Sequence, residues 1–280
     1  MQVNLFDSNF TQSVCSVAFQ TPRYVSYVRG QLDDFDITLF TDEWINNPVV
    51  SQVQSDYKIG WLREPFCLHP DTYERSLDHL NKFDFILTYH EPFLKLHPKY
   101  RFAPYGGVWI NKKEWGIRPK SKNISMLIGT KVSAPGHIIR REIADLYQEH
   151  PLIDFYGSRG TPVDYSPQAK LLTLADYHFS IITETCRENN LFTEWFLDAL
   201  IVGTVPIFWG CPNLAKFFNP AGILSFDTMK NLDDTLKMIK SFGPETIYED
   251  MLPAIRKNQE LAKEYAITED WLYWNVLRNL

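Results

Sequence analysis

The chain has 280 residues, 45% of them hydrophobic and 22% charged, with a formal net charge of −6. That length suits two α/β domains of about 120–150 residues each. An acidic chain with no dense Lys/Arg stretch does not track a phosphate backbone, which excludes nucleic acid as the main partner. No run of about 18 apolar residues occurs, so no integral membrane segment is predicted. The N-terminus lacks the basic-then-apolar order of a signal peptide. Cys15, Cys67, Cys186 and Cys211 show no CxxC spacing. Free thiols, a reducing compartment and a cytoplasmic location are the expectation. The sequons at Asn9 and Asn123 read as chance matches on the same ground.

The first half reads as short buried strands alternating with polar connections. Strands are predicted at 3–6 (VNLF), 36–40 (DITLF), 57–62 (YKIGWL) and 84–89 (DFILTY), with a helical connection over 71–82. Such short apolar runs in alternation point to a parallel sheet. Pro104-Tyr105-Gly106-Gly107 is a turn. Residues 111–123 are polar and carry five Lys or Arg, which reads as an interdomain linker. Beyond it the alternation restarts. Strands are predicted at 124–129 (ISMLIG), 152–157 (LIDFYG), 178–183 (HFSIIT), 204–210 (TVPIFWG) and 223–226 (ILSF). Helices are predicted over 136–149 and 192–202 from apolar spacing. The last 50 residues read as helical and end in the aromatic stretch WLYWNVL at 271–277. The expected division is an acceptor-side domain over 1–115, a donor domain over 124–265 and a terminal helix over 266–280 packing at the junction.

Neither GxGxxG nor GxxxxGK[ST] occurs, nor does HExxH. Asp33-Asp34-Phe35-Asp36 contains a DxD pattern of the kind that holds a metal, but it precedes a strand and reads first as a solvated turn. No obligatory metal or other cofactor is predicted. Three segments carry candidate chemistry. In the first, Gly136 opens a helix, with His137 beside it and Arg140 and Arg141 in the first turns. Free N–H groups at a helix start favour an anion. Arginines there oppose the usual preference for acids. They point to an anionic partner, or equally to a surface pair bridged to Glu142 or Asp145. In the second, Glu184 to Glu194 joins a buried strand to an apolar-faced helix. Glu184 and Glu194 suit hydrogen bonds from sugar hydroxyls; Glu194 also suits a plain helix start. In the third, Trp61 to Pro65 ends a strand. Glu64 there is a candidate base for an acceptor hydroxyl, or half of an Arg63–Glu64 surface pair.

Together these segments resemble glycosyltransferase family 10, the α-1,3-fucosyltransferases. The agreement is most specific from Tyr177 to Phe218, through Gly203-Thr204-Val205-Pro206-Ile207-Phe208-Trp209-Gly210 and Pro212-Asn213. Gly136 to Arg140 resembles the family's diphosphate-binding loop. Asp154-Phe155-Tyr156-Gly157-Ser158-Arg159-Gly160 resembles its D-x-Y-G turn. Trp61 to Pro65 and Phe83 to Leu87 follow in the family's order. The similarity is good over 124–226 and looser over 57–110.

The resemblance implies an α/β, GT-B-like fold of two facing Rossmann-like domains with a cleft between them. It implies inverting transfer of L-fucose from GDP-fucose to a glycan hydroxyl. It also implies Glu64 as base and Arg140 on the diphosphate. Gly136, His137, Arg141, Tyr156, Gly157, Arg159, Glu184, Thr185, Arg187, Asn190, Thr193 and Glu194 complete the expected donor site. Three departures stand out: Trp195 replaces a phosphate-binding lysine, Thr185 an asparagine and Leu191 a tyrosine. Arg187, Arg159 or Lys131 could restore the lost charge. Otherwise the donor differs, or the chain binds a nucleotide sugar without transferring it.

Overall fold

The computed structural model describes residues 1–8 and 19–280. The sequon at Asn9 and Cys15 lie outside the described residues. The chain forms two units. The first comprises Met1–Tyr105, Asn189–Leu191 and Ile267–Leu280, and the second comprises Gly106–Glu188 and Phe192–Ala266.

The first unit is built on a six-stranded parallel sheet. Its strands are β1 (Gln2–Phe6), β2 (Ser26–Arg29), β3 (Phe35–Thr41), β4 (Ser55–Leu62), β5 (Phe85–Thr88) and β6 (Tyr100–Phe102), in the order β2-β1-β3-β4-β5-β6. Successive side chains on a strand point to opposite faces, and here they sort into two apolar layers. Leu5, Leu39, Ile59, Trp61 and Leu87 fill one layer. Phe6, Phe40, Leu62 and Ile86 fill the other, which packs on Tyr73 of α1 (Pro70–Ser76) and Phe93 of α2 (Glu91–Leu96). Gly60 of β4 lies on this face in a tight place, where an added Cβ would lie 3.0 Å from Ile86 Cγ1.

The second unit carries a five-stranded parallel sheet: β7 (Lys122–Ile128), β8 (Ile153–Gly157), β9 (Tyr177–Thr183), β10 (Val205–Trp209) and β11 (Leu224–Ser225). Their order is β11-β10-β9-β7-β8. The first strand in sequence, β7, is therefore interior, with β8 on one side of it and β9, from which the order runs on to β11, on the other. The reversal of order lies between β7 and β9, and open sheets of this kind bind ligands there, beyond the strands' carboxyl ends. The helices are α3 (Pro135–Tyr147), α4 (Pro167–Leu174), α5 (Glu194–Ile201), α6 (Met229–Phe242) and α7 (Pro244–Tyr265). Met126, Phe179, Ile207 and their neighbours form one buried layer with Leu232 and Leu236 of α6. Ile182, Phe196, Leu200 and Phe208 belong to the other.

Several elements differ from the sequence reading. The strands β2 and β6 and the helices α2 and α4 were not predicted, because elements of four, three and six residues give too little periodicity and Lys170 interrupts the buried face of α4. Residues 111–123 do not hang free. Lys120 Nζ donates to Ala175 O, Val202 O and Thr204 Oγ1 at 2.7–3.1 Å, and Trp115 Nε1 donates to Ile110 O. The long lysine stem buries while its head finds three acceptors, so a polar sequence packs against the second unit. The terminal helix α8 (Thr268–Asn275) lies on the first unit's sheet, with its Leu272, and Leu277 just beyond it, in the apolar layer. Asp270 fastens it by accepting from Arg23 N and Nε at 2.8 and 2.7 Å.

Cys211 is a buried thiol outside any disulfide and donates to Asn213 Oδ1 at 3.0 Å, whereas Cys67 and Cys186 are disulfide-bonded. The expectation of free thiols fails for those two, since spacing along a chain detects CxxC sites but not pairings made by the fold. The second sequon is unsuited to a glycan, with Ile124 and Ser125 fully buried in β7.

Candidate functional site

The reversal point of the second sheet gathers most of the predicted donor residues. The chain leaves β7 through Gly129 and enters α3 at Pro135, whose fixed φ and missing N–H suit a first helical position. Gly136 follows, packed against the end of β9. An added Cβ there would lie 1.7 Å from Glu184 O, so only glycine fits. Its N–H donates to Thr185 O at 2.9 Å. The donor expected to face an anion is therefore taken by the chain itself. His137 is 7% exposed and its Nδ1 has no hydrogen-bond partner. Burial, then the nearby Arg140 and Lys131, lower its pKa and favour the neutral ring.

Arg140 is not a surface residue. It is 6% exposed, with Nε donating to Thr183 Oγ1 at 3.0 Å and Nη2 to Thr183 O at 2.6 Å. Its guanidinium carbon lies 4.4 Å from the centre of the Trp195 ring. Burial lowers its pKa, opposed by Glu184, Tyr165 and Glu194. A guanidinium starts so high that it stays cationic. Of the carboxylates considered for a surface pair, Asp145 binds Arg159 at 3.2 Å instead, and Arg141 Nη2 donates to Thr130 O at 3.2 Å.

Glu184 is close enough to Arg140 to feel its charge and is 1% exposed. Its Oε1 accepts from Thr193 N and its Oε2 from Thr193 Oγ1, both at 2.8 Å. Burial raises its pKa to about 7, while the two Thr193 donors pull the other way. Both oxygens thus serve the chain and hold the 184–193 loop closed. Thr193 completes the link as N-cap of α5, accepting from Trp195 N at 3.2 Å. Glu194 follows in the first turn of α5 and is half-buried, where an acid also favours the helix dipole. Gly210 must be small for the same pocket, since its Cβ would lie 2.7 Å from Glu184 Cγ.

The remaining predicted residues are more scattered. Gly157 has φ +82°, and a Cβ there would lie 2.3 Å from Ile128 O, so it shapes the turn rather than offering a contact. Tyr156 OH is 2.6 Å from Tyr177 OH, which in turn donates to Asp154 Oδ2 at 2.7 Å. Arg187 is exposed and paired with Asp227 at 2.6 Å. Arg159 and Arg187, offered as replacements for a lysine, thus each have a carboxylate; Lys131 is exposed. Asn190 belongs to the first unit, with φ +66° and Nδ2 donating to Tyr89 O at 2.9 Å.

In the first unit, Glu64 is half-buried at the end of β4. Arg63 does not pair with it on the surface. Its guanidinium is buried over the rings of Tyr105 (4.4 Å) and Trp61 (5.1 Å). Asp42, 2% exposed with φ +45°, accepts from Arg63 N at 2.8 Å and Glu64 N at 3.0 Å. Burial, then the Glu64 charge, raise its pKa to about 7. The sequence reading missed Asp42, Lys170 and Asp198. Only a Lys or Asp inside an apolar helix stretch could have flagged the last two.

No family model matches the chain. An α-(1,3)-fucosyltransferase of Helicobacter pylori is 28% identical over 135 residues, covering 48% of this chain and 28% of that protein. The match thus spans under a third of that relative. A solved α1,3-fucosyltransferase with GDP superposes with a TM-score of 0.57 at 16% identity, covering 96% of this chain and 92% of the other. The Anabaena protein HepE in complex with UDP-glucose gives a TM-score of 0.62 at 11% identity, covering 88% and 79%. The fold is GT-B-like, with two Rossmann-like α/β units, and the chain is α-1,3-fucosyltransferase-like in sequence.

Proposed function

We propose that this chain is an inverting glycosyltransferase of glycan biosynthesis, moving L-fucose from GDP-fucose onto a glycan hydroxyl. The observation that carries the reading is Arg140, a buried cation at the reversal point of the second sheet. A cation already removed from water interacts strongly with an incoming diphosphate. As the acceptor oxygen bonds to the anomeric carbon, the bond to the β-phosphate oxygen breaks and GDP leaves with its charge facing Arg140. The acceptor proton passes to Glu64, the proposed base. Glu194 is the proposed acceptor of hydrogen bonds from donor hydroxyls, because both oxygens of Glu184 are occupied by Thr193. The arginine carries the charge-neutralising role, so the proposal includes no metal.

Trp195 favours a second reading, a different donor, because a ring stands where the resemblance expects a phosphate-binding lysine. One experiment separates the two. The thermal midpoint is measured with GDP, UDP, CDP and their sugars. A ligand at a hundred times its Kd stabilises by about 2.7 kcal/mol. GDP and GDP-fucose are expected to raise the midpoint, and Arg140→Ala to abolish the rise. Stabilisation by UDP alone changes the donor; no stabilisation by any nucleotide overturns the reading.

A further inference from the structure

The ring at position 195 carries two cations. Arg140 lies over it at 4.4 Å, and Lys170 Nζ, from α4, lies 3.6 Å from its centre. Lys170 is 3% exposed and its ammonium has no hydrogen-bond acceptor among the described residues. Its counter-charge is Asp198 Oδ2 at 3.7 Å, an oxygen that also lacks a donor. The other oxygen, Oδ1, accepts from Trp109 N and Ile110 N at 2.9 and 3.1 Å. The adjoining cavity, about 10 Å³ beside Thr173 and Ser180, is near the lower limit for a single water.

A buried ion pair with such incomplete hydrogen bonding is an expensive way to fill a core; apolar side chains of similar volume are commonly at least as stable. What the arrangement does supply is a fixed indole. Lys170 holds the ring by its π face, and the Thr193 cap holds its backbone. The fixed indole in turn constrains Arg140. Thr183 takes two of the guanidinium's nitrogens, which sets the edge of the plane. The ring sets its tilt. Guanidinium groups meet phosphate oxygens through a planar fork, so a small rotation loses a bond.

We infer that Trp195, pinned by Lys170, is a positioning residue for Arg140. It holds the arginine's fork for a nucleoside diphosphate and replaces, by orientation, the direct contact that a lysine at 195 would make. The inference rests on the donor-site reading above. It also accounts for the absence of that lysine. A third cation among Arg140 and Lys170 would repel both and remove the ring that each uses.

The test compares Trp195→Leu and Trp195→Phe in the full chain. GDP affinity is read by calorimetry and guanosine affinity by competition against GDP. A cation–π contact at a desolvated site predicts a GDP affinity about tenfold weaker for the leucine variant. The phenylalanine variant keeps a ring and is expected within about threefold of the parent. Guanosine has no phosphate and is expected to bind all three alike. Equal GDP affinity in the leucine and phenylalanine variants overturns the inference, and so does an equal loss for GDP and guanosine, which marks a collapsed pocket. Should the leucine variant not fold, Trp195→Met takes its place with the same two outcomes. Arg140→Ala is run beside them. If it binds GDP as the parent does, the donor-site reading itself fails. If it loses GDP while Trp195→Leu does not, only the positioning role fails.

Discussion

Replacing Glu184 by glutamine separates the cost of a buried charge from the benefit of the hydrogen bonds it accepts. The folded pKa is about 7 against 4.5 for the free side chain, with burial the largest cause. A shift of roughly 2.5 units is worth about 3 kcal/mol. The sign follows from proton counting. Between about pH 4.5 and about pH 7 the native chain keeps a proton that the unfolded chain has released, so stability falls as pH rises through that window. Below it both states are protonated and the cost vanishes. Above it the full cost remains. Glutamine has no such titration, and the backbone N–H of Thr193 can still donate to its amide oxygen. The stability difference, Glu184→Gln minus parent, is therefore expected to grow by about 3 kcal/mol from about pH 4.5 to about pH 8. Urea unfolding at five pH values measures it, and the subtraction cancels Asp42 and Asp198, whose raised pKa values are common to both proteins. A flat difference would show that Glu184 titrates normally. A difference that shrinks with pH would show that Arg140 and Thr193 outweigh burial, and either result refutes the reasoning.

Glu64→Gln is expected to lower turnover by about a hundred- to ten-thousand-fold while leaving the GDP dissociation constant unchanged; a steady-state assay beside calorimetry checks both. Gly136→Ala forces a methyl to within 1.7 Å of Glu184 O and is expected to cost about 3 kcal/mol or more, read as a lowered thermal midpoint. Lys170→Met leaves the buried Asp198 carboxylate without its cation and is expected to cost about 3–5 kcal/mol. Adding Asp198→Asn is expected to restore most of it, because Asn Oδ1 can still accept from Trp109 N and Ile110 N; thermal unfolding of the single and double variants shows whether it does.

The strands were readable wherever both faces of a sheet are buried. Val3–Phe6, Ile37–Phe40 and Ile124–Ile128 are buried throughout and apolar but for Asn4, Thr38 and Ser125, because alternate side chains enter two different cores. The same logic hides β2, whose residues are only partly buried or exposed, and α4, in which Lys170 interrupts an apolar face. Residues 111–123 misled because charge was taken for exposure. Lys120 shows why that fails: burial lowers its pKa to about 7, yet three oxygens receive its ammonium.

At the candidate site, sequence order located the loops but not the duties within them. Gly136, Arg140 and Glu184 were readable because a glycine, a cation and an acid stand where a strand meets a helix. Whether Glu184 faces a ligand or the chain is decided by Thr193, nine residues on, whose N–H and hydroxyl both point back at it. Nor could spacing reveal that Arg140, Lys170 and Trp195, spread over 55 residues and three helices, converge on one ring. The lysine missing at 195 looks like lost charge in a linear comparison. In the folded chain an ammonium, that of Lys170, stands 3.6 Å from the centre of the indole, so a cation is still present at the ring. On the positioning proposal, the two cations at that ring offset the missing lysine, with Arg140 oriented at 4.4 Å and Lys170 at 3.6 Å from its centre.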